Sequence, residues 1–487
     1  MINIGIVTNV IGVLLIVLGG FMLTTLGFSF YHSSGDSVAI IYAAFTCITI
    51  GGITWWITRN SSKNIGKREG YLIVALGWVA ASLFGSLPYL FSNVIPDFSN
   101  AFFESVSGLT TTGASIITDI ESMPEGILFW RSLTQWIGGM GIIVLTVAIF
   151  PLLGIGGVEL FVAEAPGPTS DKIHPRIKET AKRLWLIYVG LTALLALILF
   201  INGMSFFDAM NHGLTTMSTG GFSTKNISIE YFDTPAIQYP IAFFMFLGGI
   251  NYTVIYFSLK GNFKKVWQSD EFKTYVILVM ILAMVVTIIV YNVSGQSFEK
   301  SFRDSIFQIL SIVTTTGFVS ADYTSWTPAL TLLFFSLLFV GACAGSTSGG
   351  IKIIRHLVFF KNSFYEFKRL LHPRAVIRIQ IDQQIVKPRI LTHILAFLLI
   401  YIVIFILSSF IMGFIFADFE QPLLTSVGAV ATALGNVGPS IGELGPLHNF
   451  AQVPKEGKYF LIFLMLLGRL ELFTILILFT PYFWRVN

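Results

Sequence analysis

A stretch of sixteen residues recurs three times in this chain, and each copy ends in hydroxyl side chains and a glycine. The copies end at Gly113, Gly221 and Gly317, and each begins with a phenylalanine fifteen positions earlier (113 − 98, 221 − 206 and 317 − 302). A looser fourth copy runs from Phe419 to Gly435 and is one residue longer. Four amphipathic helices that end in extended Thr/Ser/Gly turns could bring backbone carbonyls together in a ring. Such a ring replaces the water shell of a potassium ion.

The candidate ion-binding residues are the four residues that close each copy. They are Thr110, Thr111, Thr112 and Gly113; Ser218, Thr219, Gly220 and Gly221; Thr314, Thr315, Thr316 and Gly317; and Thr432, Ala433, Leu434 and Gly435. Each set has a hydroxyl residue three positions before its glycine, and glycine permits the dihedral angles that keep successive carbonyls on one axis. The fourth set departs from the others, since Ala433 and Leu434 replace hydroxyl residues or glycine. The alternative is a duplicated structural turn that binds no ion.

A second pattern of glycines lies in the apolar segment that follows each copy. The third of these segments is the richest, with Gly341, Ala342, Gly345, Ser346, Thr347, Ser348, Gly349 and Gly350. This composition predicts a break in the helix and a flexible loop below the turns, which we interpret as a gate. Close helix packing at small residues is the alternative for the other segments. A phosphate-binding loop would need a GK[ST] element, and a serine nucleophile would need a base nearby; the segment has neither.

Arg469 lies in the middle of the last apolar segment. A charge at membrane depth is costly and usually functional, so a cation in a cation pathway predicts an electrostatic barrier. The alternative is a structural ion pair with Glu471 or with another helix. Residues two apart do not face each other on a helix, which weakens the pairing with Glu471.

The elements that position these residues must be membrane helices. Hydrophobic residues make up 54% of the 487 residues and charged residues 11%, whereas soluble domains carry about 25% charged residues. Continuous apolar stretches of about 20 residues indicate helices rather than a barrel. Cys47 and Cys343 both lie in such stretches, and no spacing of cysteine or histidine suits a metal. The seven histidines form no catalytic cluster, and we expect no enzymatic activity.

The predicted architecture is an all-α polytopic membrane protein with ten crossings. Two crossings come first, near 3–30 and 38–58. Four pseudo-symmetric repeats follow, each with an outward span, a re-entrant segment and an inward span around a central pore. The outward spans lie near 71–93, 184–202, 274–293 and 390–416, and the inward spans near 126–150, 236–259, 328–359 and 459–481. The domain boundaries are 1–62 for the first pair, then 63–165, 166–265, 266–375 (which contains the 341–350 loop) and 376–487 for the repeats.

Charge sets the expected orientation. Basic residues cluster in alternate loops, from Lys63 before the first repeat to the long 361–389 segment, so these loops and both termini are expected in the cytoplasm. The re-entrant segments then enter from outside, where carboxylates such as Glu104, Asp208 and Asp304 would form an acidic vestibule that concentrates cations. Ordinary solvated loop charge is the alternative for each of them.

The motifs TTTGA, STGGF, TTTGF and ALGNVG, with GACAGSTSGG and LGRLE, resemble those of the Trk/Ktr/HKT superfamily of potassium transporters, and of its bacterial membrane subunits in particular. The resemblance covers essentially the whole chain. It implies that Gly113, Gly221, Gly317 and Gly435 are filter glycines, with Gly438 as the alternative to Gly435 at the narrowest point. It also implies that 341–350 is the gate and that Arg469 faces the pore. It also implies a homodimer in the lipid bilayer of the bacterial inner membrane.

The resemblance further implies a cytosolic nucleotide-binding ring as a separate partner, which would dock around 361–389 and 165–183. This chain has no dinucleotide-binding fingerprint, so a nucleotide is expected only on that partner. Potassium is then the cargo, and neither a bound cofactor nor nucleic acid is expected. The predicted function is a potassium uptake subunit that works as a gated, channel-like pathway. The alternative is a sodium- or proton-coupled secondary transporter of a cation or small solute.

Overall fold

The computed structural model describes residues 2–61, 66–149 and 177–485, and these ranges are mostly helical. The strands described are two short ones, Gln380–Ile381 and Gln384–Ile385, which form an antiparallel hairpin. The predicted all-α class is therefore confirmed. Lys63 and residues 165–176 of the second predicted docking segment lie outside the described residues, as do the boundaries at 62/63 and 165/166.

Six helical segments are long and apolar enough to cross a membrane, and they coincide with the predicted first pair and outward spans. They are Ile4–His32 (helices Ile4–Thr24 and Leu26–His32), Ser37–Thr58, Lys67–Phe91 (helices Lys67–Gly85 and Leu87–Phe91), Ala181–Ile201 (within helix Ile177–Ile201), Asp270–Ser294 and Pro388–Ile415. At about 1.5 Å per residue, 20 residues cover the roughly 30 Å of hydrocarbon in a bilayer. Large apolar side chains such as Met284, Phe410 and Phe414 are exposed on these helices, as a lipid-facing surface requires.

Four shorter helices follow four of these segments, and we number them short helices 1 to 4. They are Phe98–Leu109, Phe206–Met217, Phe298–Val313 and Pro422–Gly435. A polar side chain caps the N-terminus of each of the first three: Asp97, Ser205 and Ser297 accept a hydrogen bond from a backbone N–H of the first turn. Such caps begin a helix sharply after a loop. The fourth begins instead with a proline in its first turn, a position that needs no N–H donor.

All four returning segments are interrupted at their glycine-rich positions. Glu125–Ile149 has a non-helical Gly141, and Pro235–Gly248 meets Tyr252–Leu259 at a bend of 109°. Residues 338–352 separate Pro328–Leu337 from Ile353–Leu371, and Lys455–Arg469 meets Phe473–Phe479 at a bend of 109°. The sequence predicted a break only in the third segment. The other three interruptions are a finding of the structure.

The remaining short elements connect these helices. They are the helices Phe263–Gln268 and Pro481–Trp484 and the 3-10 turns Ser228–Phe232 and Gly442–Leu444. The buried apolar side chains form two large clusters: the first joins the N-terminal helices to the first and last repeats, and the second joins the two middle repeats. Short helix 1 packs in the first cluster and short helix 3 in the second, whereas short helices 2 and 4 contribute side chains to both.

Candidate functional site: four capped helix ends and a loop beneath them

The four short helices end in the same hydrogen-bonded cap. In short helix 1, the N–H of Thr111 donates to Gly108 O (2.9 Å) and that of Thr112 to Ser107 O (2.9 Å). The matching donors in the other three helices are Thr219 and Gly220, Thr315 and Thr316, and Asn436 and Val437, with N···O distances of 2.8–3.4 Å. This is the Schellman arrangement, in which the chain leaves the helix through one left-handed residue. The same cap therefore recurs at the ends of all four short helices.

Backbone angles identify the equivalent residues in each turn. Thr111, Thr219, Thr315 and Asn436 have φ between 52° and 56°, and Gly113, Gly221, Gly317 and Gly438 follow two positions later with φ between 80° and 99°. Left-handed backbone is unusual for a β-branched residue and costs about 1–3 kcal/mol per residue. Three threonines in this conformation at matching positions indicate a geometry maintained against strain.

The fourth turn lies three residues later than the sequence analysis placed it. Thr432, Ala433, Leu434 and Gly435 form the last turn of short helix 4, and the irregular backbone runs from Asn436 to Gly438. The earlier register aligned the copies by their phenylalanines, but this helix begins at Pro422, three residues after Phe419. Gly438 therefore occupies the position that was assigned to Gly435.

The four glycines and the carbonyls before them close into a ring. The Cα of Gly113 abuts Gly220 O, that of Gly221 abuts Thr316 O, and that of Gly317 abuts Val437 O. Gly438 completes the ring because its Cα abuts Thr112 O. Each turn thus presses its glycine against the carbonyl one residue before the next turn's glycine, where a side chain would not fit. This closure brings backbone oxygens from four repeats around one axis.

Side-chain hydrogen bonds fix three of the turns. Thr110 and Thr112 share a hydroxyl–hydroxyl bond of 2.8 Å, and Thr314 and Thr316 share one of 2.7 Å. These bonds fix the hydroxyls of the first and third turns. In the second turn, Gly220 O accepts instead from the side-chain amide of Gln135 at 2.6 Å.

The fourth turn is tied to the first. The side-chain amide of Asn436 donates to the Thr112 hydroxyl (3.0 Å) and to Met465 O (2.9 Å). Asn436 therefore connects the last repeat to the first, and the sequence analysis did not identify it. Its signal was available, since Asn followed two residues later by Gly suits two left-handed positions.

A buried ion pair within the first repeat holds Arg131 against the second repeat. Arg131 Nε lies 2.7 Å from Glu104 Oε1, and both side chains are at most 2% exposed. Arg131 also donates to Ser223 O (2.9 Å), just beyond the second turn, and stacks on Phe222. The prediction that Glu104 faces an outer vestibule is therefore wrong: the carboxylate is inside, and it accepts from Ile116 N at 2.9 Å. Asp304 is also buried, at 1% exposure, whereas Asp208 is partly exposed.

Two other carboxylates, Asp97 and Asp233, are paired with cations at the surface. A hydrogen bond from Lys455 lowers the pKa of Asp97 below its usual range, with help from Ser99. A hydrogen bond from Lys300 lowers the pKa of Asp233, with a smaller contribution from Arg303. Both groups stay ionised near neutral pH, but their charges are balanced by these lysines and this arginine. Any attraction that they exert on cations is correspondingly reduced.

The glycine-rich loop of the third repeat lies directly beneath the turns. The N–H of Gly349 donates to the Thr315 hydroxyl (2.6 Å), and the Thr347 hydroxyl donates to Met217 O and Gly248 O (3.1 Å each). Gly349 also abuts Gly435 O. Three repeats therefore hold one loop. Left-handed Gly345 and Gly350 allow its two reversals.

The remaining residues predicted for the loop fasten its two arms to each other and to the second repeat. Gly341 N donates to Ile351 O, and Ile353 N donates to Ala342 O. Ser346 and Ser348 share a hydroxyl–hydroxyl bond of 2.8 Å. Lys352, which the sequence analysis treated only as a topology signal, is 8% exposed and donates to Ser348 O. The loop is thus an ordered hairpin, contrary to the flexible loop that its composition predicted.

Arg469 donates to carbonyls on both sides of the space beneath the turns. Its guanidinium bonds Thr347 O in the loop (3.0 Å), and Gly138 O (2.5 Å) and Gly139 O (3.1 Å) in the first repeat. Glu471, the partner considered for it, forms an ion pair with Arg355. Arg469 is partly exposed, which leaves it able to act on an ion in this space.

The glycines in the returning segments have a packing role that explains their positions. Gly138 abuts Leu109 O, Gly248 abuts the Thr219 side chain, and Gly468 abuts Leu434 O. Each returning segment therefore touches the end of a short helix at a residue without a side chain. Among the described residues, no cluster of three or more His, Cys, Asp or Glu side chains could hold a metal ion. A cation at the ring would be bound by backbone and hydroxyl oxygens.

Comparison with known proteins gives consistent matches over the whole chain. The TrkH family, described as a cation transport protein family, matches residues 36–485. The Trk system potassium uptake protein TrkH of Escherichia coli K12 is 41% identical, with 98% of this chain and 99% of that protein covered. TrkG of the same organism is 34% identical, with 92% of this chain and 91% of that protein covered. The crystal structure of the potassium transporter TrkH from Vibrio parahaemolyticus superposes with a TM-score of 0.89 at 36% identity, with 99% of this chain and all of that chain covered.

Proposed function

The chain belongs to the TrkH family of cation transport proteins, and we propose that it is the membrane subunit of a potassium uptake system. Its relatives of 34–41% identity carry the name potassium uptake protein and align over nearly their whole length. The family transports cations and is not a family of enzymes. No bond is made or broken in the proposed activity, so no catalytic residue is assigned.

The ring of four capped turns carries this proposal. Its selectivity filter consists of 110–113, 218–221, 314–317 and, in the corrected register, 435–438. Carbonyls from all four would replace the water shell of a potassium ion. The short helices direct their C-terminal ends at the ring, and the partial negative charge there favours a cation.

The loop 341–350 and Arg469 form the proposed gate on the inner side of the filter. Thr347 is the contact point, because its hydroxyl bonds the second repeat while its carbonyl accepts from Arg469. An ion that leaves the filter would meet this loop and a positive charge together. Passage therefore requires the loop to leave its contacts with Thr315 and Met217.

The wider assembly follows the sequence analysis. We place the protein in the bacterial inner membrane, with ten crossings, both termini in the cytoplasm and the proposed repeat boundaries. The chain would form a homodimer and bind a cytosolic nucleotide-binding ring. Exposed Lys368, Arg374 and Arg378 support a docking surface within 361–389. The nucleotide would be bound by that partner.

The test is rubidium uptake into liposomes that contain the purified chain, with potassium, sodium and lithium as competitors. Uptake that potassium blocks and sodium barely affects is the expected result. Equal competition by sodium and potassium would contradict a selective carbonyl filter. If no uptake is seen, Arg469→Ala and a shortened 341–350 loop are measured in the same way, because continued silence from both variants would refute the gated pathway.

A further inference from the structure

One buried carboxylate fastens both arms of the gate loop. Glu271 lies in the first turn of the long helix Asp270–Ser294 and is 8% exposed. Its Oε1 accepts a hydrogen bond from Ala344 N at 2.7 Å and another from Ile354 N at 3.1 Å. Ala344 lies in the first arm of the loop, before Thr347, and Ile354 follows the second arm. The segment between them contains Thr347 and Gly349, the residues that contact the filter turns.

The chemistry of these two donors explains why a carboxylate suits this position. Ile354 is in the first turn of the helix Ile353–Leu371, where a backbone N–H has no partner within its own helix. A carboxylate at this position also complements the positive end of the helix. A charged acceptor forms stronger hydrogen bonds than a neutral one. Glu271 therefore fixes two separate backbone segments with a single oxygen.

Asp270, the residue before Glu271, binds the hairpin Gln380–Ile385 on the expected cytoplasmic side. Asp270 N donates to Asp382 Oδ1 (2.6 Å), and Asp382 N donates back to Asp270 Oδ2 (3.2 Å). Asp382 is in the turn of the hairpin Gln380–Ile385 and has φ of 50°. Lys361 strengthens the junction because its Nζ bonds both Asp270 Oδ2 (3.2 Å) and Gln380 O (3.1 Å).

We propose that Glu271 is a positioning residue that clasps the gate loop beneath the filter, and that the Asp270–Asp382 pair connects this clasp to the cytoplasmic hairpin. Asp270 and Glu271 are consecutive in one helical turn, so a displacement of the hairpin moves the clasp with it. The loop is then released from its two arms rather than pushed at its tip. This inference rests on the proposed function of the loop as a gate.

Cys343 provides a direct measurement of the clasp. Its thiol is next to Ala344, is 1% exposed, and is one of two cysteines in the chain. In a Cys47→Ser background, the rate at which a small methanethiosulfonate reagent modifies Cys343 reports release of the loop. We expect Glu271→Ala to accelerate modification about ten-fold or more, because two hydrogen bonds to the side chain are lost. We expect Glu271→Gln to stay within about three-fold of the parent, because an amide oxygen still accepts both bonds.

A distant variant and a control variant distinguish release of the loop from exposure of Cys343 through the cavity that a substitution at Glu271 leaves. Asp382→Ala leaves Glu271 in place and is expected to accelerate modification by a smaller factor, about three-fold or more. Glu366→Ala is the control, since Glu366 pairs with Arg369 on the exposed cytoplasmic helix and should leave the rate unchanged. If Glu271→Ala does not fold, Glu271→Asp serves instead, because the shorter side chain cannot reach both donors.

Each outcome decides one part of the proposal. A parental rate of Cys343 modification in folded Glu271→Ala or Glu271→Asp overturns the clasp. Acceleration in those variants with a parental rate in Asp382→Ala overturns the connection to the hairpin. Rubidium uptake by the same liposomes distinguishes failure of the clasp from failure of the proposed transport function. Faster modification without uptake in any variant would refute the transport function and leave the clasp standing, whereas uptake with unchanged modification would refute the clasp alone.

Discussion

The corrected register of the fourth turn predicts that Gly438, and not Gly435, controls ion selectivity. Gly438 has φ of 99°, which lies beyond the left-handed region that other residues tolerate, and its Cα abuts Thr112 O. An alanine there would cost about 1–3 kcal/mol in backbone strain alone. Relief of that strain must move the turn or Thr112, and both belong to the ring.

The expected loss of selectivity follows from the same magnitude. If strain of about 1–3 kcal/mol is relieved by distorting the potassium site, preference for potassium over sodium falls about 5- to 150-fold, since 1.4 kcal/mol corresponds to a factor of about ten. The assay is rubidium uptake by liposomes with sodium or potassium as competitor. Gly438→Ala should lower the ratio of the sodium inhibition constant to the potassium inhibition constant by that factor.

Two other glycines provide the comparison. Gly435 is in helical conformation at the end of short helix 4, so Gly435→Ala carries no penalty for a left-handed backbone, although its Cβ would lie 2.8 Å from Leu338 O and the backbone there must shift. Gly413 is on a long helix with open space around its Cα and controls for the substitution itself. Lost selectivity in Gly435→Ala with preserved selectivity in Gly438→Ala would refute the register.

Three further predictions concern Arg469 at the gate, the buried Arg131–Glu104 pair and the surface pair of Lys455 with Asp97. Arg469→Ala should raise rubidium uptake about 30-fold, because a unit charge at about 8 Å costs an ion about 2 kcal/mol at an effective dielectric of about 20; unchanged or lower uptake in a folded variant would reject the barrier. Arg131→Met should lower the free energy of unfolding by about 3–5 kcal/mol, because the Glu104 carboxylate remains buried without its cation. The double variant Arg131→Met/Glu104→Gln should lose less in denaturant unfolding, and an equal loss would contradict this account. Asp97 has a depressed pKa in the folded protein, so its stabilising effect is present above the usual aspartate range and disappears as pH falls through the folded pKa. Lys455→Met should therefore make melting temperatures less sensitive to acid between about pH 5 and 2, by an amount worth at most about 1 kcal/mol for a surface pair.

The sequence predicted the elements whose signals are local. Long apolar runs specify the six membrane-length helices, and identical fifteen-residue intervals specify the first three turns. The fourth turn was misplaced because its alignment rested on Phe419, a residue outside the helix that it was taken to begin. Asn436 and Gly438 carried the correct signal, since they match the left-handed positions of Thr111 and Gly113.

Contacts between distant residues had no comparable signal. Arg131 and Glu104 are 27 positions apart, and Glu271 is 73 and 83 positions from its two partners. No periodicity relates such pairs, because the fold alone brings them together. The breaks in the returning segments were hidden for a related reason. Each glycine there could be explained by helix packing, and the contact with a short helix end appears only once the repeats are assembled.

The third returning segment differs from the other three in a way that suits a gate. Gly141, the bend before Tyr252 and the bend after Arg469 each interrupt a helix briefly, and these interruptions let the chain pass a short helix end. The third interruption spans 338–352 and returns beneath the filter. Its contacts with the turns are a few hydrogen bonds through Thr347 and Gly349, whereas its arms are held by a buried carboxylate. In the proposed mechanism, release at the arms would free the whole 341–350 loop while the four turns keep their caps, so the pathway would open without disturbing selectivity.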